Sequence, residues 1–198
     1  MKVHDPLEAL LASPVRWRIA RTLVLSREGA WSGRTLAAEA GVSLPQAIEA
    51  LKRWEEAGLV WRETKGRAHK WSLVRTHVLV APLNRLFDIE AGLPKKFQED
   101  LAHGLQGLPI RRVVLFGSFA RGSEGNTSDV DLLVELSNGA SRSKVEEGLT
   151  RETVRIVRRY GSVISAIVRS PEEARRSAES PLTKEIESSG VVIVGGRP

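Results

Sequence analysis

Cysteine is absent from this 198-residue chain, which excludes disulfides and thiolate metal sites and gives no sign of an oxidising compartment. No apolar run reaches the length needed to cross a bilayer. The N-terminus lacks the basic segment and apolar core of a secretory leader. The expectation is an intracellular, cytoplasmic protein with no membrane segment. Internal repeats and low-complexity tracts are missing too. What remains is ordinary for a globular protein, 41% hydrophobic and 27% charged residues, on a length that suits one large or two small domains.

Charge and aromatics are unevenly spent. The net charge is +6, yet residues 1–75 hold 13 Lys+Arg against 8 Asp+Glu, a net of +5 that leaves +1 for the rest. All five tryptophans (Trp17, Trp31, Trp54, Trp61, Trp71) also lie in that first part. The composition changes near residue 75. An excess of positive charge on the first domain is what contact with nucleic acid requires, and a solvated basic surface is the plainer alternative.

Helical spacing of Val15, Ile19, Leu23 and Val24 predicts a helix over Pro14 to Leu25, with a short upstream helix around Pro6 to Leu11. A loop through Gly29–Gly33 leads to a helix from Arg34 to Ala40, stopped by Gly41. Ser43 caps the next helix, Leu44 to Ala57, with Pro45 in its first turn and Gly58 at its end. Two strands then flank Lys65-Gly66-Arg67, Leu59–Thr64 and Ala68–Val74, with Trp61 and Trp71 expected as a cross-strand pair. His69 reads as solvent-facing, and His77 and His103 lack partners at metal-site spacing.

The stretch from Pro14 to Val74 resembles the winged helix-turn-helix regulators of bacteria and archaea, of the small ArsR/MarR-like type. The resemblance implies a DNA-binding domain over residues 1–75 and double-stranded DNA as partner. Ser43, Gln46, Ala47, Glu49, Ala50 and Arg53 would then meet the major groove, and Lys65, Arg67 and Lys70 would touch phosphate or the minor groove. Winged helices also serve as dimerisation or docking modules.

Residues 76–108 read as a helical connector. Leu83 to Ile89 is expected to be helical, Gly92-Leu93-Pro94 to break it, and Pro94 to Leu105 to resume with Phe97, Leu101 and Leu105 on one face. A homodimer formed through the segment after the hairpin would suit a two-fold operator.

The chemistry-bearing stretch is Val113-Val114-Leu115-Phe116-Gly117-Ser118, running on to Ser128-Asp129-Val130-Asp131-Leu132-Leu133-Val134-Glu135. An apolar strand is broken by Gly117-Ser118, and Ser118 is expected to cap a short helix ending by Gly122. After a Gly/Ser-rich turn a second strand starts near Asp129. Alternation sends Asp129 and Asp131 to one face. Two carboxylates on a strand of Val and Leu are costly to bury uncompensated, and Mg²⁺ suits paired carboxylates together with phosphate oxygens. Gly117 has no Cβ, so backbone can come close to a ligand. A phosphate cradle beside a carboxylate pair is the layout of metal-assisted phosphoryl or nucleotidyl transfer. The plain alternative is a strand–turn–strand with two surface aspartates.

The run GSFARGSEGNTSDVDLLVEL resembles the signature of the DNA polymerase β-like nucleotidyltransferase superfamily, in its minimal bacterial and archaeal branch. The resemblance covers roughly Pro109 to Gly195. It implies NTP and Mg²⁺, nucleotide contacts from Gly117, Ser118, Arg121 and Ser128, and Asp129 and Asp131 as metal-binding catalytic residues. It also implies a third carboxylate on a later strand, where this chain has Ser165. A serine hydroxyl is a poor Mg²⁺ ligand and no base near neutral pH. Either another carboxylate substitutes or the site binds nucleotide without turning it over. Glu135 shares the face of the two aspartates but lies further along the strand.

Later elements complete the reading. A long amphipathic helix runs from Ser143 to Tyr160 with a solvated basic face (Arg151, Arg155, Arg158, Arg159). A strand over Val163–Val168, helices over Glu172–Ala178 and Leu182–Ser188, and a buried strand over Val191–Val194 follow. The expected fold is α+β, with an N-terminal winged helix-turn-helix and a polymerase β-like mixed sheet flanked by helices over 109–198. Three functions fit. The first is a DNA-binding transcriptional regulator whose second domain binds NTP-Mg²⁺ with weakened catalysis. The second is an active nucleotidyltransferase acting on a protein, RNA or small molecule. The third is an antitoxin-like partner of a small helical toxin.

Overall fold

Ser13 opens the first helix, its hydroxyl accepting the Arg16 backbone N–H at 3.2 Å with Pro14 in the first turn, a pairing that satisfies one orphan donor and removes another. This computed structural model describes residues 13–66, 68–122 and 129–195, so the expected helix around Pro6 to Leu11 lies outside the described residues. The chain forms two compact units, Met1–Leu93 and Pro94–Pro198.

In the first unit, α1 (Pro14–Leu25) buries Ile19, Ala20, Leu23 and Val24. A two-residue strand β1 (Trp31–Ser32) precedes α2 (Gly33–Glu39), whose Ser32 and Thr35 cap each other reciprocally. Gly41 takes the left-handed backbone (φ 62°) that turns the chain into α3 (Leu44–Glu56). Helix α3 buries Ala47, Ala50, Leu51 and Trp54, the i, i+3, i+4, i+7 stripe of a core-facing helix. Strands β2 (Val60–Lys65) and β3 (Ala68–Leu73) form an antiparallel hairpin, and β1 joins its outer side in the order β1-β3-β2. The expected Trp61–Trp71 pair does not form. Arg62 lies opposite Trp71 and Trp61 opposite Ser72, so the two indoles, one register step apart, point to opposite faces. Trp71 instead pairs with Trp31 and is 3% exposed against 70% for Trp61.

The break expected at Gly92-Leu93-Pro94 is also absent. A single helix, α4 (Val80–Gly104), runs through Pro94. Proline removes one helical hydrogen bond, but both halves are anchored. Leu83 and Phe87 sit in the first core, and Phe97, Leu101 and Leu105 in the second.

The second unit holds a four-stranded mixed sheet whose strands lie in the order Ile164–Arg169, Val130–Leu136, Ile110–Phe116, Val191–Val194. Strand β4 (Ile110–Phe116) leads through the four-residue helix α5 (Gly117–Ala120) towards its antiparallel neighbour β5 (Val130–Leu136). Helix α6 (Arg142–Tyr160) ends at Gly161 in the left-handed region and returns the chain to β6 (Ile164–Arg169), parallel to β5. Helices α7 (Pro171–Arg176) and α8 (Pro181–Ser189) precede β7 (Val191–Val194), antiparallel to β4. One sheet face packs Val113, Leu115, Leu132 and Val134 against α4 and α6; the other packs Val114 and Leu133 against Ile186 of α8. Strand β7 is half-buried rather than buried, because it is the sheet's edge. The residue in the N-cap position of α5 is Phe116, not Ser118, since the helix begins at Gly117 and its cap falls two residues earlier than expected. Among the described residues no helix is long and apolar enough to cross a membrane.

Candidate nucleotide site and candidate nucleic-acid interface

Strand β4 ends where β5 begins, and their register sets Phe116 opposite Asp131. The next residue, Gly117, has φ +74°, and a Cβ built there would lie 2.3 Å from Asp131 Oδ2. A side chain there would be strained by the positive φ and would have to displace the Asp131 carboxylate. Asp131 is half-buried and Asp129, just before the strand, is exposed. On the other side of Asp131, the parallel pairing sets Ser165 of β6 in register with it, exposed on the sheet's edge strand. Paired residues on neighbouring strands face the same way about 4.8 Å apart, so the Asp131 carboxylate has the Ser165 hydroxyl beside it. Glu135 lies four residues along β5 and is held by Arg111, Nη2 to Oε2 2.5 Å.

Ser118 is half-buried on α5. Arg121 follows that helix with its Nη1 3.9 Å from Glu185 Oε1 of α8, both side chains at least half exposed. Ser128 lies outside the described residues. Two carboxylates beside an open backbone approach offer the hard oxygen donors that Mg²⁺ takes in company with substrate phosphates. Among the described residues no group of three or more His, Cys, Asp or Glu could hold a metal without such help.

In the first unit, Ser43, Gln46, Glu49 and Arg53 are all exposed on α3. Gln46 Oε1 accepts from the Ser43 N–H and hydroxyl at 3.1 and 2.8 Å, and Arg53 donates to Glu49 Oε1 at 3.1 Å. Ala47 and Ala50 do not face outward as expected but lie in the core at 0% and 2% exposure, because α3 is rotated to bury Leu51 and Trp54 beside them. Lys70 is exposed on β3, where its register partner is Glu63. Lys65 pairs through its backbone with Ala68 at the hairpin end, and Arg67 lies outside the described residues. His69 is exposed, its Nδ1 2.9 Å from Thr64 Oγ1.

The basic face expected on α6 is partly tied down. Arg159 pairs with Asp100 Oδ2 at 2.9 Å, and Arg155 with the buried Glu152 at 2.5 Å. Sequence reasoning missed a second polar cluster in the sheet, built from Arg112, Glu135, Arg169, Thr183 and Glu187. The signal for it was charge inside otherwise apolar strands, at Arg111-Arg112 and at Glu135.

The nucleotidyltransferase domain family profile matches residues 95–192. A Methanocaldococcus jannaschii protein named as a candidate protein adenylyltransferase is 30% identical over 99 residues, covering 50% of this chain and 93% of the relative. A second protein of that organism with the same description is 38% identical over 71 residues, or 35% of this chain. The match spans about half of that relative's length, 48%. Among solved structures, one described as a toxin–antitoxin with AMP-PNP has a TM-score of 0.36 at 17% identity, over 52% of this chain and 74% of that one. Another, described as a possible transcriptional regulator for arsenical resistance, has a TM-score of 0.32 at 27% identity, over 46% and 86%. The strands that set Gly117 against Asp131 fall within the residues that the family profile matches, a relative is 30% identical with 93% of its length covered, and the chain belongs to the nucleotidyltransferase domain family.

Proposed function

We propose that the second unit binds an NTP with Mg²⁺, and that the first is a winged helix-turn-helix that binds double-stranded DNA. Together they make a regulator whose nucleotide site turns over weakly or not at all. The observation that carries this reading is Ser165 in register beside Asp131. In it, Asp129 and Asp131 hold the metal, Gly117 gives the phosphates access to the backbone, and Ser118, Arg121 and Ser128 border the nucleotide. Bound Mg²⁺ would neutralise phosphate charge and orient the reacting oxygens. Ser165 supplies neither a third anionic ligand nor a base for an attacking hydroxyl. The helix–turn–helix–hairpin order of the first unit supports the DNA-binding part, with α3 as recognition helix. Leu86, Ile89 and Leu93 remain 44%, 62% and 44% exposed along one side of α4, an apolar seam that supports a homodimer.

The rival is an active protein adenylyltransferase, favoured by the descriptions of the two M. jannaschii relatives. Titration of ATP and GTP calorimetrically, with and without Mg²⁺, tests the shared step. Binding is expected to need the metal and to be lost in Asp129→Ala/Asp131→Ala. Labelled-nucleotide transfer then separates the readings: little or none from the natural chain and a gain in Ser165→Asp is expected. Robust transfer by the natural chain makes the rival correct, and the absence of any NTP binding removes both.

A further inference from the structure

The sheet face that carries Asp131 and Ser165 continues along β5 and β6 into a groove of about 680 Å³. Four residues on from Asp131 and Ser165, the same register pairs Glu135 with Arg169. At strand rise that is about 13 Å from the candidate nucleotide site. Arg112, Glu135 and Arg169 line the groove from the sheet, and α7 and α8 wall it, Thr183 and Glu187 coming from α8.

The charges there do not balance. Glu135 is taken by Arg111 at 2.5 Å, and both oxygens of Glu187 by Arg112 at 2.5 and 2.7 Å. Arg169 is half-buried, and its Nη1 donates to the Thr183 hydroxyl at 2.8 Å. Among the described residues no carboxylate lies within ion-pair distance of it. Arg112 is 6% exposed, and its Nε has no hydrogen-bond partner among the described residues. At the rim, among the described residues, Arg175 pairs only with the exposed Glu172, at 3.4 Å. A guanidinium withdrawn from water without a counter-charge is costly unless an anion completes it, and its planar fork matches phosphate oxygens.

We propose that this groove is a second ligand site, which takes a phosphate-bearing small molecule through Arg169, Thr183 and Arg175. It is distinct from the nucleotide site and needs no divalent metal. Its volume suits a ligand of nucleotide size or smaller.

The test is calorimetric titration of pyrophosphate into the full chain in metal-free buffer with chelator, with citrate as the carboxylate control. Pyrophosphate is expected to bind with an affinity that falls at least about tenfold in Arg169→Gln, as loss of a charge-assisted contact requires. A few-fold loss is expected in Arg175→Gln, whose exposed position leaves folding untouched, and no change in Asp131→Asn. Thermal melting of each variant establishes that it is folded. Failure of pyrophosphate to bind, equal binding by both arginine variants, tighter binding of citrate, or loss of binding in Asp131→Asn would each overturn the proposal.

Discussion

A single methyl group at position 117 would meet two obstacles at once. The backbone there has φ +74°, and the added Cβ would lie 2.3 Å from an Asp131 carboxylate oxygen. The left-handed conformation alone costs a non-glycine residue about 1–2 kcal/mol. An added Cβ would also have to push the Asp131 carboxylate out of its place beside the turn. Gly117→Ala is therefore expected to lose about 2 kcal/mol of stability in urea unfolding and to abolish Mg²⁺-dependent NTP binding. The comparison residue is Gly139, also at positive φ (70°) but with nothing within 4 Å of a built Cβ. Gly139→Ala should show the conformational cost alone and leave nucleotide binding intact. Equal NTP affinity in the two variants would mean that the close approach at Gly117 serves packing rather than a ligand.

Between elements, the contact of α4 with α6 is fastened by one carboxylate. Asp100 accepts from Lys96 at 2.5 Å, from the Tyr160 hydroxyl at 2.6 Å and from Arg159 at 2.9 Å. The Lys96 hydrogen bond first, then that of Tyr160, hold its pKa down to about 2 against an ordinary 3.8. A carboxylate with a depressed pKa stabilises the fold above its unfolded value, and that contribution is lost as pH falls through the folded one. Asp100→Asn is expected to melt below the natural chain at pH 7, with the gap closing between about pH 4 and pH 2. A gap independent of pH would show that the contact is steric rather than ionic. Asp100 also shows what a linear reading misses. Arg159 looks like part of a solvated stripe because the acid that claims it lies 59 positions away, and Arg155, paired with Glu152, also donates to the backbone carbonyl of Asp100. Caps and breakers were legible where their effect is local: Ser43, Pro181 and Gly161 all sit at helix ends. Pro94 was not, because the burial of Phe87 on one side and Phe97 on the other outweighs one missing hydrogen bond. Ser165 was legible only through the resemblance, by lining up the Ser-Pro-Glu-Glu ending of its strand with the family pattern, and its register with Asp131 came from the structure. The rotation of α3 that buries Ala47 and Ala50 was not, since alanine carries little signal for either face.

For the molecule as a whole, the uneven charge makes a prediction that neither unit's fold makes alone. Residues 1–75 hold a net of +5, and the remainder holds +1. On the hairpin and α3, Arg53 is compensated by Glu49 at 3.1 Å. Lys70 is exposed on β3 beside its register partner Glu63 and is the hairpin residue proposed to contact phosphate. If the first unit binds DNA by its basic surface, affinity for any duplex falls linearly in log [salt], with a slope set by the number of phosphates neutralised. Anisotropy titrations of the full chain against labelled duplexes of unrelated sequence, over a potassium chloride series, read that slope directly. Lys70→Ala is expected to weaken binding to every duplex alike and to reduce the slope by about 1. Gln46→Ala is expected to leave the slope unchanged and to narrow the difference between duplexes, because it reads base edges if it reads anything. Binding that ignores salt, or a Lys70→Ala slope equal to that of the natural chain, would move the basic surface off the DNA and leave the first unit as a module for docking protein.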